Sequence, residues 1–132
     1  MIADKEQHVD FLRRAVEVSR KARESGNTPF GCILVNPQGQ VLWEQGNIEI
    51  TEHNCTGHAE TTLMEAVSKR FSKQELWECT LYTTAEPCAM CAGSIYWGNV
   101  GRVVFGITEK RLAELTGDDE QNLTLDLPCT EV

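Results

Sequence analysis

Leu81-Tyr82-Thr83-Thr84-Ala85-Glu86-Pro87-Cys88-Ala89-Met90-Cys91-Ala92-Gly93-Ser94-Ile95-Tyr96-Trp97-Gly98-Asn99-Val100-Gly101-Arg102-Val103-Val104-Phe105-Gly106 is the stretch on which the fold turns. Residues 81–84 form a short apolar and β-branched run, which reads as a strand. Glu86-Pro87 opens a helix, because proline is favoured at the first helical position, where its missing N–H costs nothing. Gly98-Asn99 closes that helix, and residues 102–106 give another strand. A helix between two strands predicts a parallel pair joined by a right-handed crossover.

Working outward, Phe30-Gly31-Cys32-Ile33-Leu34-Val35 reads as a buried strand. Asn36-Pro37-Gln38-Gly39 suits a type I turn, and Val41-Leu42-Trp43 completes an antiparallel hairpin that ends near Gly46-Asn47. Before it, Phe11, Leu12, Ala15, Val16, Ser19 and Ala22 recur at helical spacing, with Arg13, Arg14, Glu17, Arg20 and Lys21 on the other face. Ser25-Gly26-Asn27 stops this helix. Residues 48–57 are polar and without period, hence a loop. A helix then runs from about His58 to Ser68 with Leu63, Met64 and Val67 inward. After the last strand, Thr108 caps a short helix reaching about Leu115, and the chain turns acidic at Asp118-Asp119-Glu120. The order α-β-β-α-β-α-β-α predicts an α/β fold, one mixed sheet with helices on its faces. No repeat or linker divides the sequence, so residues 1–132 are expected to form a single domain.

The balance of 20 acidic against 12 basic residues gives a net charge of −8. That argues against a protein held mainly by phosphates, and so against a nucleic-acid partner; small neutral substrates fit better. Six cysteines in 132 residues fall short of a disulfide scaffold. No apolar run approaches the roughly 18 residues of a membrane span, and the first residues lack the apolar core of a secretory signal. A cytoplasmic protein is expected, in which paired cysteines bind metal or lie buried more often than they form disulfides.

Two motifs carry chemistry: His58-Ala59-Glu60 and Pro87-Cys88-Ala89-Met90-Cys91. Each opens a helix after a loop or strand. Cys88 and Cys91 share one helical face in the first turn, where unpaired N–H groups and the helix dipole favour thiolate. His58, Cys88 and Cys91 supply one imidazole and two thiolates, a zinc ligand set that leaves a position for water. Glu60 is placed to move a proton to and from that water. Convergence of His58 with Glu60 requires both to sit at the helix tip, since side chains two apart within a helix point apart. Cys32 and Cys79 read as core thiols. Cys55, three residues before His58, is a weaker alternative as a fourth ligand, which would close the site into a non-catalytic zinc module.

These motifs, H-x-E followed by P-C-x-x-C, resemble the zinc-dependent cytidine deaminase superfamily, and the resemblance covers nearly the whole chain. It implies a three-layer α/β/α sandwich with a mixed sheet of about five strands. It also implies Zn2+ on His58, Cys88 and Cys91, a proton-shuttling Glu60, and attack of zinc-bound hydroxide on an amine-bearing ring carbon. Thr28-Pro29-Phe30-Gly31, Ser94-Ile95-Tyr96-Trp97 and Gly117-Asp118-Asp119 are similar to segments of bacterial guanine deaminases. The implied activity is therefore deamination of a free amino-purine, guanine first. Deamination of tRNA adenosine, or of another nucleoside or amino-heterocycle, is the alternative. The implied substrate contacts are Asn47, Phe30, Ala59 and Trp97, with Asp118 or Asp119 assisting. Asn47 would offer an amide donor and acceptor to the purine edge, and Phe30 and Trp97 would wall the ring. A homodimer is expected, with Ile95-Tyr96-Trp97 as an apolar contact. Asn54-Cys55-Thr56-Gly57 departs from the guanine deaminase pattern N-D-P-T-A before the histidine. Measured against the family, the chain is also expected to lack a C-terminal helix.

Overall fold

Asp4 and Gln7 cap the first helix reciprocally, each side chain accepting a hydrogen bond from the other's backbone N–H, and α1 (Lys5–Glu24) runs from this box. The structure, a computed structural model, describes residues 4–108, 111 and 129–131. Strands β1 (Gly31–Val35) and β2 (Val41–Gly46) form the expected antiparallel hairpin. Its turn is closed by Gly39 N–H donating to the Asn36 carbonyl at 3.0 Å, and Asn36 Oδ1 accepts from Gln38 and Gln40. Gly39 has φ +80°, which strains a residue with a Cβ, so the glycine is required where the turn rejoins the strand.

The chain continues through α2 (Ala59–Val67), α3 (Lys73–Trp77), β3 (Thr80–Ala85), α4 (Ala89–Gly98) and β4 (Arg102–Ile107). The strand order is β2-β1-β3-β4; β1 and β3 pair antiparallel, while β3 and β4 pair parallel across α4, as the sequence predicts. Asn99 ends α4 in the left-handed conformation. The short α3 is not anticipated from apolar spacing, although Ser72 and Glu75 spell a capping box and both of its bonds form.

Alternation along β1 divides the core. Cys32 and Leu34 pack with Ala59, Leu63, Met64 and Ile95 from α2 and α4, whereas Ile33 and Val35 pack with Val18 and Tyr82 beneath α1. Helices therefore cover both faces, giving the three-layer α/β/α sandwich. Among the described residues the sheet has four strands against about five expected. The helix expected from Thr108 to about Leu115 lies almost wholly outside the described residues, although Thr108 Oγ1 does accept from Arg111 N–H at 3.0 Å. Val16, expected on the inner face of α1, is 47% exposed, and Val18 takes the buried place. The buried stripe runs through Ala15, Val18, Ser19 and Ala22, so Val16, one step beyond Ala15, falls outside it. Among the described residues no helix is long and apolar enough to cross a membrane.

Helix α1 lies so close to β1 that a Cβ on Gly31 would stand 2.5 Å from Ser19 N and 2.8 Å from Ala15 O. These are backbone atoms that no rotamer change can move. Gly31→Ala should therefore lower stability by about 1–3 kcal/mol, read from urea unfolding. Unchanged stability would contradict this packing of α1 on the sheet.

Candidate metal centre and active site

The two motifs meet where α2 and α4 begin. His58 is the N-cap of α2 (φ −70°, ψ 150°) and Cys88 the N-cap of α4 (φ −65°, ψ 172°); neither side chain caps its helix. Instead, His58 Nδ1 lies 3.5 Å from Cys88 Sγ and 3.7 Å from Cys91 Sγ. The three donor atoms all fall within 4.8 Å of one another. Helix α4 starts later than the sequence suggests, with Ala89 and not Pro87 as its first residue. Glu86 N–H still donates to the Ile107 carbonyl at 2.7 Å, so the chain leaves the sheet only after Glu86. Cys88 therefore stands at the cap, and Cys91 one turn behind it.

This donor set fits zinc: an imidazole nitrogen and two sulfurs converge at the positive ends of two helices. Among the described residues the donor group comprises His58, Cys88 and Cys91; Cys55 is exposed and stands outside it. Cys32 and Cys79 are buried, as expected of core thiols. Without metal, a hydrogen bond from the Cys91 thiol holds Cys88 ionised, pushing it down to about 4, with His58 assisting. The same bond, with burial, keeps Cys91 protonated, well above the usual thiol range. The Cys88 sulfur in turn raises the His58 imidazole. Glu49 Oε1 faces the other ring nitrogen, Nε2, at 3.8 Å. With a metal on the sulfurs, a carboxylate there would favour the proton on Nε2 and leave the Nδ1 lone pair for the metal.

Glu60 is buried, 7% exposed, and burial pushes its carboxyl up to about 7. Its own backbone N–H and the Thr83 hydroxyl oppose that rise by hydrogen bonding to the charged form, and both His58 and Cys88 act on it electrostatically. A carboxyl that titrates near neutrality beside a cluster of metal donors can both take and give a proton.

Asn47 is buried where β2 ends, its N–H donating to the Phe30 carbonyl at 3.0 Å. Its Oδ1 accepts from Glu49 N–H at 2.9 Å, and among the described residues Nδ2 makes no hydrogen bond. Its oxygen is thus engaged within the protein, while its amide nitrogen is not. Phe30 is half-buried and Ala59 fully buried. Trp97 is 73% exposed, and nine residues of helix carry it about 13 Å along the axis from Cys88, so the structure does not bring it to the donors. Of the expected apolar contact, Tyr96 and Trp97 are exposed but Ile95 is part of the core. Asp118 and Asp119 lie outside the described residues.

Glu49, Thr61, Thr83 and Asn27 escape sequence reasoning. Asn27 reaches across to the loop before α2: its Oδ1 accepts from Ile50 and Thr51 N–H at 3.0 Å each, and its Nδ2 donates to Thr51 Oγ1. Ile48 N–H donates to the Gly57 carbonyl, closing the same loop against His58. In the sequence Asn27 is only the last residue of the helix stop Ser25-Gly26-Asn27, which is ordinary turn chemistry.

Residues 5–107 match the family model of the cytidine and deoxycytidylate deaminase zinc-binding region. The chain belongs to that family of zinc-dependent deaminases. It is 40% identical over 111 residues to a probable cytosine deaminase of Schizosaccharomyces pombe, covering 84% of this chain and 67% of that protein. It is 36% identical over 99 residues to the tRNA-specific adenosine deaminase of Haemophilus influenzae, covering 75% of this chain and 57% of that one. The crystal structure of guanine deaminase from Bacillus subtilis superposes with a TM-score of 0.76 at 30% identity, over 96% of this chain and 83% of the other.

If Asn27 holds the loop that carries Glu49, Asn27→Ala should cost about 1–3 kcal/mol, because two backbone N–H groups lose their acceptor. Hydrogen exchange at the Ile50 and Thr51 amides should accelerate with it. Unaltered protection there would show that the loop is held by other contacts.

Proposed function

We propose that this protein is a hydrolytic deaminase of a free amino-nucleobase, guanine first, exchanging a ring C–NH2 for C=O with water consumed and ammonia released. The observation that carries the reading is Glu60, a buried carboxyl titrating near 7 beside the convergent His58, Cys88 and Cys91. His58, Cys88 and Cys91 would hold zinc, which when bound supplies a Lewis acid strong enough to acidify water near neutral pH. Glu60 takes one proton from the attacking water and gives it to a ring nitrogen; it then takes the second, from the hydroxyl now on the tetrahedral ring carbon, and gives it to the amine, so that C=O forms as NH3 leaves. The Thr83 hydroxyl fixes that carboxylate. Asn47 Nδ2 donates to an acceptor on the base, and Phe30 walls the ring from the β1 side.

Guanine leads because Thr28-Pro29-Phe30-Gly31 and Ser94-Ile95-Tyr96-Trp97 are similar to guanine deaminase segments, and because the Bacillus subtilis structure matches almost the full chain. Cytosine is the second reading, favoured by the 40% identity to the fission yeast relative. A tRNA substrate fits less well, since a net charge of −8 opposes phosphate binding.

Ammonia release by the zinc-loaded protein should appear with guanine, and a screen including cytosine, adenine, 2,6-diaminopurine and a tRNA anticodon stem-loop separates the readings. Turnover of cytosine alone would replace the first reading by the second, inosine only in the stem-loop would overturn both, and no turnover would overturn deamination of these substrates altogether. Glu60→Gln should lower turnover about 10²–10⁴-fold while zinc content stays at the parent level. A variant with parent-like activity would remove Glu60 from the chemistry.

A further inference from the structure

Thr61 begins from a local peculiarity of two helices packed start to start. It is the third residue of α2, 8% exposed, and its Oγ1 lies 3.2 Å from Cys91 Sγ on α4. The same oxygen lies 3.3 Å from Ser94 Oγ, and Ser94 donates its own proton to the Cys91 carbonyl at 2.8 Å. Ser94 can therefore only accept from Thr61. Thr61 has one proton for two acceptors, the sulfur and the Ser94 oxygen. Once a metal takes the place of the Cys91 proton, the sulfur wins that competition, because a hydrogen bond to an ionised acceptor is about twice as strong as one to a neutral hydroxyl.

We propose that Thr61 is a positioning residue of the metal centre, its hydroxyl donating to the Cys91 thiolate so as to orient the sulfur and draw charge from it. The inference rests on His58, Cys88 and Cys91 holding zinc, and adds a residue outside both recognised motifs. The Thr61 hydroxyl is buried, so water does not compete for its proton. The bond also ties α2 to α4 at the level of the donors, since Thr61 follows His58 by three residues on one helix and Cys91 follows Cys88 by three on the other. A hydroxyl directed at sulfur lowers the energy of the sulfur lone pairs. The same bond holds the sulfur facing His58 and Cys88, so less ordering is left to impose when a metal binds there.

Thr61→Val removes the hydroxyl and keeps the shape. Zinc affinity, measured by competition with a chromophoric chelator, should fall about 10–100-fold. In the cobalt-substituted protein, the sulfur-to-cobalt charge-transfer band should move to lower energy, a change that loosened packing alone does not produce. Thr61→Ser should restore both readouts. Ser94→Ala removes the rival acceptor and should leave the band and the affinity near the parent values. If Thr61→Val binds zinc within about twofold of the parent and its cobalt band does not move, the assignment is overturned while the metal centre stands. If the unsubstituted protein takes up no zinc and shows no sulfur-to-cobalt band, the metal reading itself fails, and this inference with it.

Discussion

The first side chain of a helix ordinarily serves the helix, closing an N–H group that has no carbonyl to reach. In α1 and α3 this happens in full: Asp4 with Gln7, and Ser72 with Glu75, make complete capping boxes. In α2 and α4 it does not. His58 and Cys88 occupy the cap positions, and their side chains turn to each other. An oxygen-bearing cap at either position would stabilise its helix by about 1 kcal/mol, so both helices forgo stability to leave two donors at their tips. The first-turn N–H groups are also what favours negative charge there: that of Cys91 lowers the Cys88 thiol and that of Glu60 its own carboxyl. The rest of the fold answers to this constraint: two helix starts must arrive at one point.

Packing holds them there. Leu63 and Met64 of α2 and Ile95 of α4 share one core with Cys32 and Leu34 of β1, so the helices cannot separate without opening that face of the sheet. The parallel pairing of β3 with β4 fixes α4 as a crossover, and Glu86, still bonded to Ile107, delays its start until Cys88. β3 also ends beside the site, where the Thr83 hydroxyl meets Glu60. Burying that carboxyl raises it toward neutrality, and the hydrogen bonds it receives keep it from rising further. Burial that would be a liability elsewhere here sets the proton affinity.

How much could be read in advance follows from which contacts are local. The hairpin turn, the helix after β3 and the three donors were legible because turn residues, capping positions and the Cys88–Cys91 spacing act over a few residues. Convergence of His58 with Glu60 requires a position at the helix tip, and His58 there is extended, not helical. Val16 extends one apolar row, four residues after Leu12, and Val18 another, three after Ala15; the two rows flank each other, and docking on the sheet selects the row with Val18. Glu49, Asn27, Thr61 and Thr83 were invisible for a different reason. Each acts on the site through a partner 9 to 33 residues away in sequence, and polar residues of this kind are ordinary on loops and helix starts.

One nitrogen and two sulfurs, brought together by the starts of α2 and α4, form one metal-donor group. X-ray absorption at the zinc edge of the loaded protein tests this most directly. Two sulfur scatterers at about 2.3 Å are expected, together with nitrogen and oxygen scatterers at about 2.0–2.1 Å. A shell containing three or four sulfurs would mean that another cysteine closes the site, and a shell without sulfur would place the metal elsewhere; either result would contradict this donor set.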